Sequence, residues 1–120
     1  MTYSDPTENP LQQLPQGEAI RLHALPGHAI DIRIGKYPFK LMDSDGWVLC
    51  APHGRHYPLA DGQILIGRGS ESNVALSKEF RNVSRRHMIA EPLDNHVILL
   101  TDISSHDTFA PPLHIERNAT

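Results

Sequence analysis

Apolar residues along the chain come in short runs that alternate with polar residues or cluster together, and Gly, Pro, Asp or Asn interrupts them at short intervals. From Ala29 to Ile34, isoleucine occupies every second position, so one face of the segment is expected to pack and the other to face water. The dipeptides Asp45-Gly46 and Asp61-Gly62 accept the positive φ of tight turns. Because no useful stripe has the period of an α-helix, the pattern predicts an all-β sandwich or barrel.

Ten segments are predicted to be strands, and together they define one domain over residues 18–120. They are Ala19-Ala24, Ala29-Ile34, Phe39-Met42, Gly46-Cys50, Gln63-Gly67, Asn73-Leu76, His87-Glu91, His96-Thr101, Thr108-Phe109 and Leu113-Glu116. Residues 1–17 carry almost no apolar side chains beyond Leu11 and Leu14, too few to offset the entropy of ordering. We therefore expect a flexible N-terminal leader there.

The charge of the chain is unevenly distributed. The formal net charge is −3, which argues against general affinity for nucleic acid or membranes. The segment from Leu65 to Ala90 nevertheless holds five basic and two acidic residues. A local basic surface on an acidic protein indicates a small anionic ligand.

The length of the apolar runs and the single cysteine indicate where the protein is located and whether its thiol is reactive. The longest apolar runs, such as Val97-Ile98-Leu99-Leu100, are far shorter than the roughly 20 residues needed to cross a bilayer, and we expect a cytoplasmic protein. The single cysteine, Cys50, cannot form an internal disulfide. Its position in an apolar strand favours a small buried residue over a reactive thiol.

Three strand ends carry polar groups suited to holding a dianion. Gly67 and Arg68 end one apolar strand, Ser84 precedes another, and a third strand leads into Asp102 and two serines. A phosphothreonine brings about −1.5 to −2 charges and three acceptor oxygens. Recognising it requires a bidentate guanidinium, a hydroxyl donor and a backbone that glycine leaves open, which Arg68, Ser84 and Gly67 supply. Two or three charge-assisted bonds make affinities of about micromolar order plausible.

The order of these segments is similar to that of the forkhead-associated (FHA) domain family. The matching stretches are Ile66-Gly67-Arg68, Asn73-Val74-Ala75-Leu76, Val83-Ser84-Arg85-Arg86-His87, Thr101-Asp102-Ile103-Ser104-Ser105 and Thr108-Phe109. The resemblance covers about Tyr57 to Phe109. It implies a β-sandwich of two antiparallel sheets, of the kind shared by forkhead-associated and SMAD domains, that binds phosphothreonine peptides without a cofactor.

The resemblance also implies roles for individual residues. Arg68 and Ser84 would bind the phosphate, and Arg85 would lie beside it or contact the peptide. Arg81 and Asn82 would face the residue three places after the phosphothreonine and set sequence preference. Gly67 and His87 would be structural, the histidine ring holding the loops in place.

The chain departs from the family in two ways. The family has an Asn-Gly-Thr turn after the third motif, whereas this chain has Ser105-His106-Asp107-Thr108, which places His106 and Asp107 at the peptide site. Asp107 could accept a bond from a peptide N–H and would repel phosphate. Secondly, the family continues with two more strands after this turn. Either strands before Tyr57 complete the sheets, or the C-terminal edge is atypical and incomplete.

Two other chemistries are disfavoured. Eight histidines are spread along the chain with His53 and His56 as the nearest pair, and no compact Cys/His framework for a metal is visible. The run from Ser104 to Asp107 contains the residue types of a catalytic triad, but adjacent residues on one turn cannot form its relay. We therefore expect no enzyme and no metal or other cofactor.

The leading functional hypothesis is a phosphothreonine-dependent protein–protein interaction module in serine/threonine kinase signalling of the bacterial type, or in protein assembly. One alternative, prompted by the altered turn at His106 and Asp107, is a degenerate module that keeps the fold and binds an unphosphorylated partner. A third is a regulatory domain that acts on an enzyme in cis.

Overall fold

The computed structural model describes residues 11–25, 28–43, 45–94 and 96–116, and within them the chain forms two β-sheets. The strands are β1 (Gln12–Gln13), β2 (Ala19–His23), β3 (Ile30–Ile34), β4 (Tyr37–Asp43), β5 (Trp47–Cys50), β6 (His56–Pro58), β7 (Ile64–Gly67), β8 (Val74–Ala75), β9 (Met88–Pro92), β10 (Val97–Asp102) and β11 (Thr108–Ala110). A 3-10 helix spans Pro112–His114. No helix in the described part of the chain is long and apolar enough to cross a membrane.

The two sheets form the sandwich that the sequence predicts. One sheet has six strands in the order β1-β11-β3-β4-β5-β6, and the other has five in the order β2-β10-β9-β7-β8. All neighbouring strands are antiparallel except β7 and β8, which are parallel. The all-β class and the mainly antiparallel pairing are therefore confirmed.

Strands from the N-terminal part of the chain complete both sheets. In the six-stranded sheet, β11 lies between β1 and β3, with Gln12 opposite Ala110 and Ile34 opposite Thr108. In the five-stranded sheet, β2 forms the edge beside β10. Ile115 extends this edge by a bridge to Leu22. Of the two arrangements that the sequence left open, the structure has the first, in which strands before Tyr57 complete the sheets.

The core lies between the sheets and follows the alternation seen in the sequence. Ile30, Ile32 and Ile34 of β3 are buried, while Asp31 and Arg33 between them are exposed. Burying each such side chain contributes roughly 1.5–3 kcal/mol relative to leaving it in water. Larger side chains fill the space from both sheets: Phe39, Leu41 and Leu49 from one, and Leu22, Ile66, Met88 and Leu100 from the other.

The start of the folded chain lies earlier than the sequence indicates. The expected leader includes Leu14, which is 1% exposed and belongs to the core. Its backbone N–H donates to the carbonyl of Thr108 at 2.8 Å. One leucine beside a two-residue strand is too weak a hydrophobic signal to be distinguished from a polar tail. Residues 1–10 of the expected leader lie outside the described residues.

The C-terminal segment also differs from the prediction of a strand over Leu113-Glu116. Pro111 and Pro112 favour the φ of a turn of 3-10 helix, which runs to His114. Only Ile115 makes a β-bridge, and the backbone N–H of Glu116 donates to the carbonyl of Arg21 at 2.9 Å.

Candidate functional site

The loop before β9 packs directly on the end of β7. The backbone N–H of Arg68 donates to the carbonyl of Ser84 at 3.0 Å, and that of Gly69 donates to the carbonyl of Arg85 at 2.9 Å. A Cβ on Gly67 would lie 2.7 Å from the carbonyl carbon of Arg85 and closer still to its oxygen. Glycine is therefore required at position 67 because any side chain would prevent the two backbones from approaching this closely.

Two apolar residues anchor the polar segment between β8 and β9. Val83 is fully buried, and Phe80 is 6% exposed. The Phe80 ring packs edge-on against Tyr37, with centroids 4.9 Å apart, and also contacts Phe39. The Arg-rich segment is thus held at two points, which leaves its charged side chains facing outward from a defined backbone.

Arg68 projects from the end of β7 toward this segment. Its Nε donates to the carbonyl of Val83, which fixes the plane of the guanidinium next to Ser84. Neither Nη atom has an acceptor within the part of the chain that the structure describes. The outer edge of the fork is therefore free to bind two oxygens of one anion.

His87 connects two loops through its ring. Nδ1 accepts a hydrogen bond from the backbone N–H of Ser84 at 3.0 Å, so in the neutral ring the proton is on Nε2. Nε2 donates to the carbonyl of Asp107 at 2.9 Å. Burial lowers the pKa of His87, and the bond to Asp107 and the charge of Asp102 act in the opposite direction. The ring is buried, and its two hydrogen bonds join the loop at Ser84 to the turn at Asp107.

The turn from Ile103 to Asp107 is organised by the buried hydroxyl of Ser104. This hydroxyl donates to Oδ1 of Asp102 at 2.6 Å and accepts the backbone N–H groups of His106 and Asp107 at 3.2 and 2.7 Å. Oδ1 of Asp102 also accepts the hydroxyl of Thr108 at 3.2 Å. These bonds fold the turn back on itself and bring Ser105 to the surface.

Ser84 and Ser105 meet where these two loops converge. Their hydroxyl oxygens are 3.4 Å apart, and the backbone N–H of Ser105 donates to Oγ of Ser84 at 3.2 Å. Ser105 therefore joins Arg68 and Ser84 as a candidate ligand of an anion. Sequence reasoning placed Ser105 in a turn motif but not in the site, because the serine pair becomes visible only when two loops about 20 residues apart in sequence are brought together.

Asp107 takes a backbone conformation that glycine normally supplies. Its φ is +71°, in the left-handed region, immediately before the buried Thr108. Its carbonyl accepts hydrogen bonds from His87 and from the backbone N–H of Gly35. Asp107 therefore incurs at this position a steric cost that a glycine would not.

The remaining predicted residues line the same end of the sandwich. Arg81 and Arg85 are exposed, and Asn82 is half-buried. The carbonyl of Asn82 packs against Gly35 in the β3–β4 turn, where a Cβ would lie 3.0 Å from the carbonyl carbon. This turn was not part of the predicted site, since about 50 residues separate it from the arginines and nothing in the pattern relates them.

The arginines of the site form no ion pair within the part of the chain that the structure describes. Within residues 11–25, 28–43, 45–94 and 96–116, the ion pairs with N···O distances up to 4.0 Å are Arg21–Glu116, His23–Glu116, Lys40–Asp31 and His96–Asp43. None of these involves Arg68, Arg81 or Arg85. Guanidinium groups that form no ion pair in these ranges therefore lie beside two hydroxyl groups, an arrangement that can bind an anion.

Comparisons of this chain with protein-family models, with curated proteins and with solved structures find no match.

Proposed function

We propose that this protein is a phosphothreonine-dependent interaction module of the forkhead-associated type, acting in the cytoplasm in serine/threonine kinase signalling or assembly. The observation that carries the proposal is the convergence of Arg68, Ser84 and Ser105 at one end of the sandwich, with His87 buried beneath them. The sequence resemblance assigns the phosphate to two of these residues, Arg68 and Ser84, and the buried role to His87.

The chemistry of the convergence suits a phosphate monoester. The free edge of the Arg68 guanidinium can donate two parallel hydrogen bonds to phosphate oxygens. The hydroxyls of Ser84 and Ser105 can each donate one more. Bonds of this type contribute about 1.5–3 kcal/mol each, enough for reversible binding at about micromolar concentration.

The order of the strands is compatible with the family once the first half of the chain is included. The family continues after the Thr108 turn with further strands, and here β1 and β3 flank β11 while β2 flanks β10. A module of this family whose last strands are supplied from the N-terminal side would have this arrangement.

A binding experiment with matched peptides tests the proposal. A degenerate phosphothreonine library and its unphosphorylated twin are passed over the immobilised wild-type protein, Arg68→Ala and Arg33→Ala. Arg33 is exposed on the outer face of β3, so its variant controls for the loss of one positive charge. We expect selective retention of phosphopeptides by wild type and Arg33→Ala and loss of that selectivity in Arg68→Ala.

Equal retention of both libraries by the wild-type protein would overturn the proposal and favour a module that binds unphosphorylated partners. That alternative rests on the altered turn, in which His106 stands where the family has an asparagine that bonds the peptide backbone.

A further inference from the structure

The positive charge at this end of the sandwich extends well beyond the phosphate site. We call the loops β3–β4, β5–β6, β7–β8, β8–β9 and β10–β11 the basic end. They hold seven of the chain's eleven Lys and Arg residues but three of its fourteen Asp and Glu residues. The seven are Lys36, Arg55, Arg68, Lys78, Arg81, Arg85 and Arg86. Seven positive and three negative charges give these loops a net charge of +4, of which one phosphate of charge near −2 compensates about half.

Aromatic packing holds three of these loops together. Phe80, in the loop between β8 and β9, contacts Tyr37 at the start of β4 and His53 in the β5–β6 loop, with centroid separations of 4.9 and 5.4 Å. The exposed ring of His53 lies tilted against Phe80 at 32°. The β5–β6 loop is therefore next to the segment that carries Arg81 and Asn82.

Two cations of the basic end, Lys36 and Arg55, each lie near the face of a tyrosine ring. The ammonium of Lys36 lies 5.9 Å from the centroid of Tyr37, and the guanidinium of Arg55 lies 5.6 Å from that of Tyr57. Turn bonds order the loop around Arg55: its carbonyl accepts the N–H of Ala51 at 2.8 Å. Neither cation has a carboxylate within 4.0 Å in the described ranges.

We propose that the basic end binds a phosphothreonine peptide whose following residues are acidic, and that Lys36 and Arg55 form a second anionic subsite for them. The inference rests on the proposed function of Arg68 and Ser84. It adds an acidic run that begins at the position facing Arg81 and Asn82 and continues beyond it.

The dimensions of the cluster formed by Tyr37, Phe80 and His53 indicate that the acidic run of the peptide is short. The two centroid separations limit the distance from Tyr37 to His53 to about 10 Å, which an extended peptide crosses in about three residues. Arg81 follows Phe80, Lys36 precedes Tyr37, and Arg55 is two residues after His53. Acidic side chains at about the third to sixth positions after the phosphothreonine would then come close to these three cations. Exposed ion pairs are weak individually, so the subsite adjusts affinity and selectivity but does not replace the phosphate.

Three fluorescent peptides with one phosphothreonine separate the two subsites. One has neutral residues on both sides, one has Asp and Glu at positions three to six after the phosphothreonine, and one has the same acidic run before it. Each is titrated against wild type, Lys36→Gln, Arg55→Gln and the control Arg33→Gln. A single-stranded oligonucleotide of similar charge serves as the non-peptide polyanion.

We expect the acidic run after the phosphothreonine to raise affinity about tenfold over the neutral peptide, and the run before it to raise affinity less. Lys36→Gln and Arg55→Gln should each reduce that gain about threefold and leave the neutral peptide unchanged, whereas Arg33→Gln should change neither. The gain should also shrink as salt is increased.

Equal affinity for the neutral and acidic phosphopeptides would overturn the subsite while leaving the proposed function in place. Equal gains from either acidic run, or oligonucleotide binding as tight as the acidic phosphopeptide, would overturn it as well, because both mean undirected attraction. Loss of the proposed function has a different signature, in which phosphorylation itself makes no difference to any of the three peptides.

Discussion

Ser84 and His87 are joined by a hydrogen bond in which the backbone N–H of the serine donates to Nδ1 of the buried imidazole, at 3.0 Å. The opposite nitrogen of the same ring donates to the carbonyl of Asp107 at 2.9 Å. One side chain therefore fixes the spacing between the two loops that place the hydroxyls of Ser84 and Ser105. The ring is fully buried, so its hydrogen bonds do not compete with water.

Replacing His87 with alanine should weaken folding and binding through the same cause. The change removes two buried hydrogen bonds and leaves a cavity, which we expect to lower the free energy of unfolding by about 2–4 kcal/mol. In a domain of this size the melting temperature should fall by about 10–20 °C. Thermal unfolding and phosphopeptide titration measure the two effects. His106→Ala, which truncates an exposed histidine nearby, is the control for stability. An unchanged melting temperature together with lost binding would make His87 a direct ligand contact instead.

The pH dependence of stability should carry a contribution from His87. Its pKa in the folded protein is lowered from the ordinary value of 6.5, chiefly by burial. As the pH falls below 6.5, the unfolded chain takes up a proton that the folded ring resists. The free energy of unfolding therefore decreases until the pH reaches the pKa of the folded ring. Above about pH 7 both states are neutral and the contribution is constant. His87→Gln should therefore lose less stability than wild type between pH 7.5 and 5.5 in urea titrations. Parallel curves for the two proteins would refute this.

Much of the fold could be predicted because its strands carry their own signal. Alternating isoleucines identify β3, and Asp45-Gly46 marks the hairpin that follows β4, where both residues have positive φ. Two strands had no such signal. Gln12–Gln13 is polar, and the sequence of His56–Pro58 is typical of a loop. Both segments are edge strands, and the neighbouring strand determines their pairing.

The candidate site could be predicted only in part. Arg68, Ser84 and His87 follow a recognisable spacing. Lys36 is brought to this end of the sandwich by tertiary contacts of its neighbours Gly35 and Tyr37, which no sequence spacing encodes. The sequence suggested that Asp107 contacts the peptide. The structure shows that Asp107 also shapes the turn through its left-handed φ, a backbone feature that the pattern of side chains does not reveal.

Replacing Asp107 with glycine should favour both stability and phosphate binding. Glycine adopts φ of +71° without the steric cost that a side chain incurs, and the change removes a negative charge near the proposed phosphate site. We expect tighter phosphopeptide binding by about three- to tenfold and a melting temperature equal to or above that of wild type. Asp107→Asn separates the two causes, since asparagine tolerates the same φ without the charge. Weaker phosphopeptide binding by both variants would show that the carboxylate contacts the ligand favourably.

Gly67→Ala should disturb the site through the backbone. The new methyl group would meet the carbonyl of Arg85, so the loop that carries Ser84 has to shift, at a cost of about 1–3 kcal/mol or more. Gly62→Ala is the control for a backbone cost away from the site, because nothing lies within 4 Å of its Cβ position but its φ of +95° disfavours alanine. Urea unfolding and phosphopeptide titration compare the two. Retained phosphopeptide affinity in Gly67→Ala would mean that the close approach of these backbones does not position the site.

The proposed contribution of Arg68 to phosphate recognition is measured most directly by a thermodynamic cycle between protein and peptide. Calorimetry gives the affinities of wild type, Arg68→Ala and Arg68→Lys for one phosphothreonine peptide and for its unphosphorylated twin. We expect wild type to prefer the phosphopeptide by about a hundredfold or more, Arg68→Ala to lose most of that preference, and Arg68→Lys to recover part of it, because lysine keeps the charge without the bidentate fork. A preference that is absent in wild type, or equally strong in wild type and Arg68→Ala, would contradict the assignment of this surface to a phosphate.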